Sequence, residues 1–355
     1  MNLDDLERMR QLDSLNMLAE IDDLPDQLAR AYQIGLHAGF RKDSWHVKQV
    51  VLSGIGGSAI GADLLAAYVA DACPVPVIVH RDYGLPSFAR GEKTLVICSS
   101  HSGDTEETLD SFEAARRQGC HVLVICTGGE LALRAQKDKV PIIMFEHAGQ
   151  PRAAVGYSFG ILLAVFVRLG LIPDQADELH AAVAAMQAMR TSLGPGVPAA
   201  ENPAKRYAGQ LIGRLVTVFG AGLLAPVARR IKGQVNELAK SVASFEVIPE
   251  ADHNALAGTQ HPVEVLEPRI MNLFLRAPSS HPRNRIRMDL TKQFYMLEGL
   301  NTDFLDARGE HPLAHMWTLI LFGDYMAYYL AIAYGVDPTP VEALGRFKAA
   351  LKEKK

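Results

Sequence analysis

An apolar strand that runs straight into a Gly-x-Gly turn occurs once in each half of this chain. The first copy is Leu52-Ser53-Gly54-Ile55-Gly56 and the second is Val218-Phe219-Gly220-Ala221-Gly222. Each is followed by a helical stretch and then by another strand-like run. Glycines at the end of a strand let the backbone reverse sharply and approach a ligand or a neighbouring helix closely. A strand–turn–helix unit used twice restricts the chain to an α/β body with parallel sheets, and the repeat predicts two similar subdomains, the second a diverged copy.

The remaining pattern fits that frame. Apolar positions recurring every three or four residues from Leu3 to Leu18 predict a helical opening of about forty residues. Strands are expected at 49–53, 75–80, 94–99, 121–127 and 142–145, alternating with helices at 59–70 and 106–118. A cluster of Gly194, Pro195, Gly196, Pro198 and Pro203 marks a break. Beyond it come strands at 214–219, 244–248, 264–266 and 270–275, a long helix at 223–240, and helical stretches at 311–335 and 339–352. The expected division is therefore a helical segment over 1–40, a first subdomain over 41–192 and a second over 193–355. Each subdomain is a doubly wound parallel sheet, and helices flank the pair at both ends.

Bulk properties narrow the functions. The 355 residues are 48% hydrophobic and 21% charged, which suits a water-soluble globular body with a substantial core. A net charge of −4 leaves no electrostatic footprint for nucleic acid, so an anionic substrate needs a local cradle. The N-terminus is acidic and broken by charges, unlike a secretory leader. The longest apolar run, around Gly156 to Val167, reads as a buried helix rather than a membrane span. Cys73, Cys98, Cys120 and Cys126 form no Cys-x-x-Cys pair and read as reduced, buried thiols of a cytoplasmic protein. His311 and His315 share a helical face but lack the glutamate of a zinc-hydrolase motif, and are expected at the surface or an interface. No metal and no cofactor is expected.

The turn Gly54–Gly61 could take a dinucleotide pyrophosphate, but Ala59 stands where the third glycine of that fingerprint belongs. Gly57 and Ser58 are better candidates for close approach to a phosphate. The loop Ser99-Ser100-His101-Ser102-Gly103-Asp104-Thr105-Glu106-Glu107-Thr108 says more. It leaves a very apolar strand and opens a helix, whose N-terminal N–H groups favour an anion. The hydroxyls of Ser100, Ser102 and Thr105 can donate to phosphate oxygens, and Gly103 lets the backbone close around them. An ordinary helix cap at Asp104 or Thr105 would account for one such residue, but not for three hydroxyls and a glycine.

At these residues the chain resembles the sugar isomerase (SIS) fold. More narrowly, it is similar to the bifunctional phosphoglucose/phosphomannose isomerases. The likeness runs through Ser53–Ser58, Ser100–Thr108, Pro151-Arg152, Asn236-Glu237 and His253-Asn254, over roughly residues 40 to 350. The resemblance implies interconversion of glucose 6-phosphate and mannose 6-phosphate with fructose 6-phosphate through ring opening and a cis-enediolate. It implies that Glu237 moves the proton between C1 and C2, that Arg152 stabilises the enediolate and that His253 assists ring opening. It further implies a C-terminal lysine near the substrate, matched by Lys348 or by Lys352, and a homodimer with shared active sites. Ala255 stands where family members often carry an acidic residue, which bears on the positioning of His253.

Read without the resemblance, these residues keep bland alternatives. Glu237 could be a surface glutamate paired with Lys240 or Arg230, and Arg152 could serve a structural salt bridge. A basic residue at the start of the apolar helix 153–167 opposes the helix dipole, however, which favours a functional role. Thr339 is a candidate substrate contact. The competing functional class is a non-catalytic sugar-phosphate sensor, which would need the phosphate loop but not Glu237, His253 and Arg152 together.

Overall fold

In the computed structural model, residues 2–40 and 45–354 are described. The expected boundary at residue 41 lies outside the described residues. The chain opens with α1 (Leu6–Leu12), α2 (Met17–Asp22) and α3 (Leu24–Leu36). The first sheet then forms from β1 (Gln49–Ser53), α4 (Gly57–Tyr68), β2 (Val77–His80), β3 (Thr94–Ser100), α5 (Glu106–Arg117), β4 (His121–Cys126), α6 (Gly129–Lys137) and β5 (Ile142–Met144). Helices α7 (Val155–Arg168), α8 (Ala176–Leu193) and α9 (Pro203–Leu211) lead into the second half. That half holds β6 (Leu215–Ala221), α10 (Ala225–Glu237), β7 (Ala243–Ile248), α11 (Val263–Arg269), β8 (Ile270–Arg276), α12 (Pro282–Leu297), β9 (Asn301–Asp306), α13 (Pro312–Tyr334) and α14 (Glu342–Glu353).

Both sheets are parallel throughout, in the orders β2-β1-β3-β4-β5 and β7-β6-β8-β9. The inner strands are apolar on both faces because helices cover both. Val50, Leu52, Leu95 and Ile97 face the core shared with α3, α4 and α7. Their neighbours Val51, Val96 and Cys98 face a second core, which includes Phe112 of α5 and Leu131 of α6. The second sheet repeats the arrangement, with Phe219 and Phe274 packing on Tyr295 of α12. The doubly wound, two-sheet architecture expected from the repeat is present.

Helices α7 and α13 carry the large shared core. Each belongs to a stretch long and apolar enough to cross a membrane, but 83% and 94% of the two apolar windows are buried inside the protein. An all-round apolar helix in the centre of a large core is the other solution to that composition. Cys98, Cys120 and Cys126 are buried and Cys73 is half-buried, all as free thiols.

Three expectations change. Residues 264–266 belong to helix α11, not to a strand, because three residues are too few to discriminate between the two periods. Strand β9 went unpredicted because it is an edge strand with Asn301, Thr302 and Asp303 in its first half. His315 is buried, not at the surface; its ring lies 2.8 Å from the Ser279 hydroxyl and 3.0 Å from the Gly309 carbonyl oxygen.

Candidate active site

In the first sheet the strand order reverses between β1 and β3, and their carboxyl ends carry the two loops singled out in the sequence. Open α/β sheets bind ligands at such a switch point. Ser58 opens α4 after the Gly54–Gly57 turn, and its hydroxyl accepts the His101 N–H at 3.2 Å. The Gly103 N–H donates to the Ser100 hydroxyl at 3.1 Å, and the Ser100 and Thr105 hydroxyls are paired at 2.9 Å. The exposed Ser102 hydroxyl accepts the Asp104 N–H at 3.2 Å. Ser58 and Ser102 thus keep their own hydroxyl hydrogens to give away, and the Ser100–Thr105 pair keeps one more.

Capping does not account for these hydroxyls. Thr105 occupies the N-cap position of α5, yet its side chain makes no cap hydrogen bond. Asp104 instead accepts the Glu130 N–H. The N-terminus of α5, of the kind that attracts an anion, directly follows the hydroxyl-bearing loop, and its N-cap Thr105 is paired with Ser100. Gly103 has φ +77°, and a Cβ there would lie 1.9 Å from the Gly128 carbonyl oxygen, so the loop requires glycine for conformation and for space.

The Gly turn also links the cradle to the second cluster. A Cβ on Gly57 would stand 2.4 Å from the Pro151 carbonyl oxygen, so the turn bearing Arg152 packs directly against this glycine. Arg152 lies in the 3₁₀ turn Pro151–Ala154 and is 5% exposed. Its Nη2 donates to the Pro338 carbonyl at 3.0 Å and to the Thr339 carbonyl, while its Nη1 stands 3.5 Å from the Glu237 carboxylate. Burial pushes the guanidinium's pKa down, Glu237 opposes that, and Arg230 adds to it. Among the described residues, Arg152 Nε and the Thr339 hydroxyl are buried without hydrogen-bond partners.

Glu237 is the last residue of α10 and its side chain is 36% exposed, so it borders solvent while touching a buried cation. Neither bland pairing holds. Arg230 is turned inward to a buried ion pair with Asp324 at 2.7 Å and donates to the Arg152 carbonyl, also at 2.7 Å. That pair fixes the Arg152 turn from behind. Helix α4 packs against α10, and Asp63 of α4 bridges Arg81 and Arg229, the latter at 3.0 Å.

The sequence offered Lys240 only as a bland partner for Glu237, not as a site residue. Its Nζ donates to the Leu238 carbonyl at 3.0 Å and to the Asp337 carbonyl at 2.5 Å, so it and Arg152 hold the same segment, Asp337–Thr339. Burial and then the Arg152 charge push its pKa down to about 8, against Asp337 and Glu237. Its backbone is left-handed, φ +53°, a conformation unusual for a side-chain-bearing residue. Nothing in the local sequence signals that, because the contacts come from a segment near the other end of the chain. His253 ends the 3₁₀ turn Glu250–His253 after β7, is exposed, and makes no hydrogen bond or ion pair among the described residues. Lys348 and Lys352 lie exposed on α14. One copy of the chain therefore brings together the cradle side chains, Arg152, Glu237 and Thr339, but not His253 or the C-terminal lysines.

A hydroxyl-bearing loop at a switch point, joined through one packed turn to an arginine–glutamate couple, fits a sugar-phosphate isomerase of the SIS type. Residues 200–351 match the family model of the bacterial phospho-glucose isomerase C-terminal SIS domain. The chain is 41% identical over 340 residues to a bifunctional phosphoglucose/phosphomannose isomerase of Caldicellulosiruptor bescii, covering 95% of this chain and 99% of that one. It is 33% identical to the protein of the same name from Aquifex aeolicus, covering 88% and 93% of the two chains. The fold is shared with the C-terminal domain of glucosamine-fructose-6-phosphate aminotransferase from Francisella tularensis, with a TM-score of 0.71 at 15% identity over 91% of this chain and 98% of that one. The chain belongs to the bifunctional phosphoglucose/phosphomannose isomerase family. It is a sugar-phosphate aldose–ketose isomerase, and the sensor alternative draws no support from these relatives.

Proposed function

We propose that the enzyme interconverts fructose 6-phosphate with both glucose 6-phosphate and mannose 6-phosphate, and that the residues described above divide the work. Ser58, Ser100, Ser102, Thr105 and the Gly57 backbone hold the phosphate. The open-chain sugar then extends across the Gly57–Pro151 contact toward Glu237. The Glu237 carboxylate takes the C2 proton of the aldose; the C–H electron pair becomes the C1=C2 bond, and negative charge collects on O1. The O2 hydroxyl proton passes to O1, and as Glu237 returns its proton to C1 the electrons on O2 form the C2=O of the ketose. Arg152 Nη1 and Nε face the developing charge from a site shielded from water, where such donors stabilise it most. The observation that carries this reading is the 3.5 Å contact between a buried Arg152 and a half-exposed Glu237.

Ring opening falls to His253. Its exposure on a loop, away from Glu237, supports a homodimer in which the neighbouring copy supplies the imidazole. Lys348, or Lys352, reaches the substrate from α14. We assign the chain to three parts, a helical segment at 1–40 and SIS-type subdomains at 41–192 and 193–355, working in cytoplasmic carbohydrate metabolism without a cofactor. The test is purified protein with fructose 6-phosphate, followed for both aldose products. Absence of turnover, or unchanged turnover in Glu237→Gln, defeats the assignment.

A further inference from the structure

The loop that cradles the phosphate contains no lysine or arginine, but it does contain His101. The backbone of His101 is anchored at both ends: its N–H donates to Ser58 and its carbonyl accepts the Thr127 N–H at 3.0 Å and the Thr127 hydroxyl at 2.7 Å. Its ring leaves the loop sideways. His101 Nε2 lies 2.9 Å from His147 Nδ1, and His147 Nε2 lies 3.0 Å from the Glu20 carboxylate. Glu20 belongs to α2, so the opening helical segment reaches the carboxyl end of the first sheet.

The chemistry of this chain of contacts has one direction. A carboxylate only accepts, so His147 Nε2 carries the hydrogen and its Nδ1 is the lone pair. His101 Nε2 must then donate, which leaves His101 Nδ1 without a hydrogen while the ring is neutral. Aromatic packing holds both rings: Phe145 lies against His101, and Tyr157 lies against His147. His147 is 7% exposed at its side chain, so the geometry is enclosed. Among the described residues, the titratable groups in contact with the pair are Glu20 and Tyr157, the latter with its partner Arg30.

We propose that Glu20, His147 and His101 form a positioning relay for the substrate's phosphate, in which His101 takes a proton from solvent at Nδ1 as the phosphate settles and Glu20 balances that charge through His147. The proposal rests on the phosphate occupying the Ser/Thr cradle. Burial, followed by the neighbouring His147 imidazole, pushes His101 down to about 4, with Glu20 opposing. Its ring is therefore neutral at physiological pH until an anion arrives. A dianion beside the loop stabilises the imidazolium, and the hydrogen bond from His147 keeps Glu20 below the usual carboxylate range so that it stays ionised.

Inorganic phosphate is the probe, measured as a competitive inhibitor of fructose 6-phosphate turnover from about pH 8 down to about pH 6 in wild type, E20Q, H101Q and S102A. Phosphate's own titration is common to all four enzymes, so the informative quantity is the ratio of each Ki to the wild-type value. The relay requires the E20Q and H101Q ratios to grow about threefold to tenfold as the pH falls, because only wild type gains the proton. A purely structural role gives ratios that do not change with pH. Raised Ki in S102A together with such flat ratios overturns the relay and leaves the cradle standing. Unchanged Ki in S102A overturns the cradle and the relay with it. For variants that fail to fold, ¹⁵N-histidine NMR of the wild type at about pH 7 decides: added phosphate must move His101 Nδ1 from unprotonated to protonated, and an unmoved Nδ1 overturns the proposal.

Discussion

Arg152→Lys separates the two tasks of one side chain. The guanidinium spends Nη2 on the Pro338 and Thr339 carbonyls and presents Nη1 to Glu237, with Nε unpartnered. A lysine keeps the charge but brings a single ammonium, which can satisfy the carbonyls or meet the enediolate, not both. The carbonyls are the nearer acceptors in the resting enzyme, so the loss falls on the transition state. Removing one donor to a developing oxyanion costs on the order of 100- to 1,000-fold in kcat, or about 2.7–4 kcal/mol. Arg152→Met also strands two buried carbonyls, each at about 1–3 kcal/mol, so it lowers stability by roughly 2–6 kcal/mol as well. Initial rates of aldose formation from fructose 6-phosphate, run beside urea unfolding, distinguish the two. Arg152→Lys is expected to lose activity with a nearly unchanged urea midpoint, and Arg152→Met to lose both. An Arg152→Lys enzyme within about threefold of wild-type kcat refutes the assignment of Arg152 to the enediolate.

Other outcomes follow from the same contacts. Asp324→Asn leaves Arg230 charged and buried without its carboxylate, and is expected to cost about 3–5 kcal/mol in urea unfolding, with part recovered in Arg230→Met/Asp324→Leu. Lys240, pushed down to about 8, loses its charge above that value, which weakens its contacts with the Leu238 and Asp337 carbonyls. Wild-type kcat/KM should therefore fall on the alkaline side of that value, and Lys240→Arg should carry the fall upward by more than one pH unit; superimposable profiles speak against this role. Mixing inactive His253→Ala and Glu237→Gln proteins should restore activity to about a quarter of wild type, because half of the randomly assorted dimers carry one intact shared site. A mixture that stays inactive after subunit exchange argues for sites complete within one chain.

Much of the fold was readable from local pattern. Parallel inner strands buried on both faces must be continuous apolar runs, so β1, β3, β4 and β8 stand out in the sequence. The Ser100–Thr105 loop also stands out, because three hydroxyls and a glycine at a strand-to-helix junction exceed what a cap needs. Edge strand β9 and helix α11 did not stand out, since an exposed or short element imposes no clear period on its residues.

The sequence by itself determined the kind of body, two Gly-x-Gly α/β units, and the Ser/Thr-rich loop at the end of β3. Only the tertiary structure decided the partners of the proposed catalytic side chains. Glu237 meets Arg152 and not Lys240 or Arg230, because the Gly57–Pro151 contact and the Arg230–Asp324 pair place the Arg152 turn there. Arg152 in turn binds carbonyls 186 and 187 residues away in the chain, and Glu20 reaches His147 across 127. Contacts at that separation depend on how whole elements pack, and no local run of residue types encodes them.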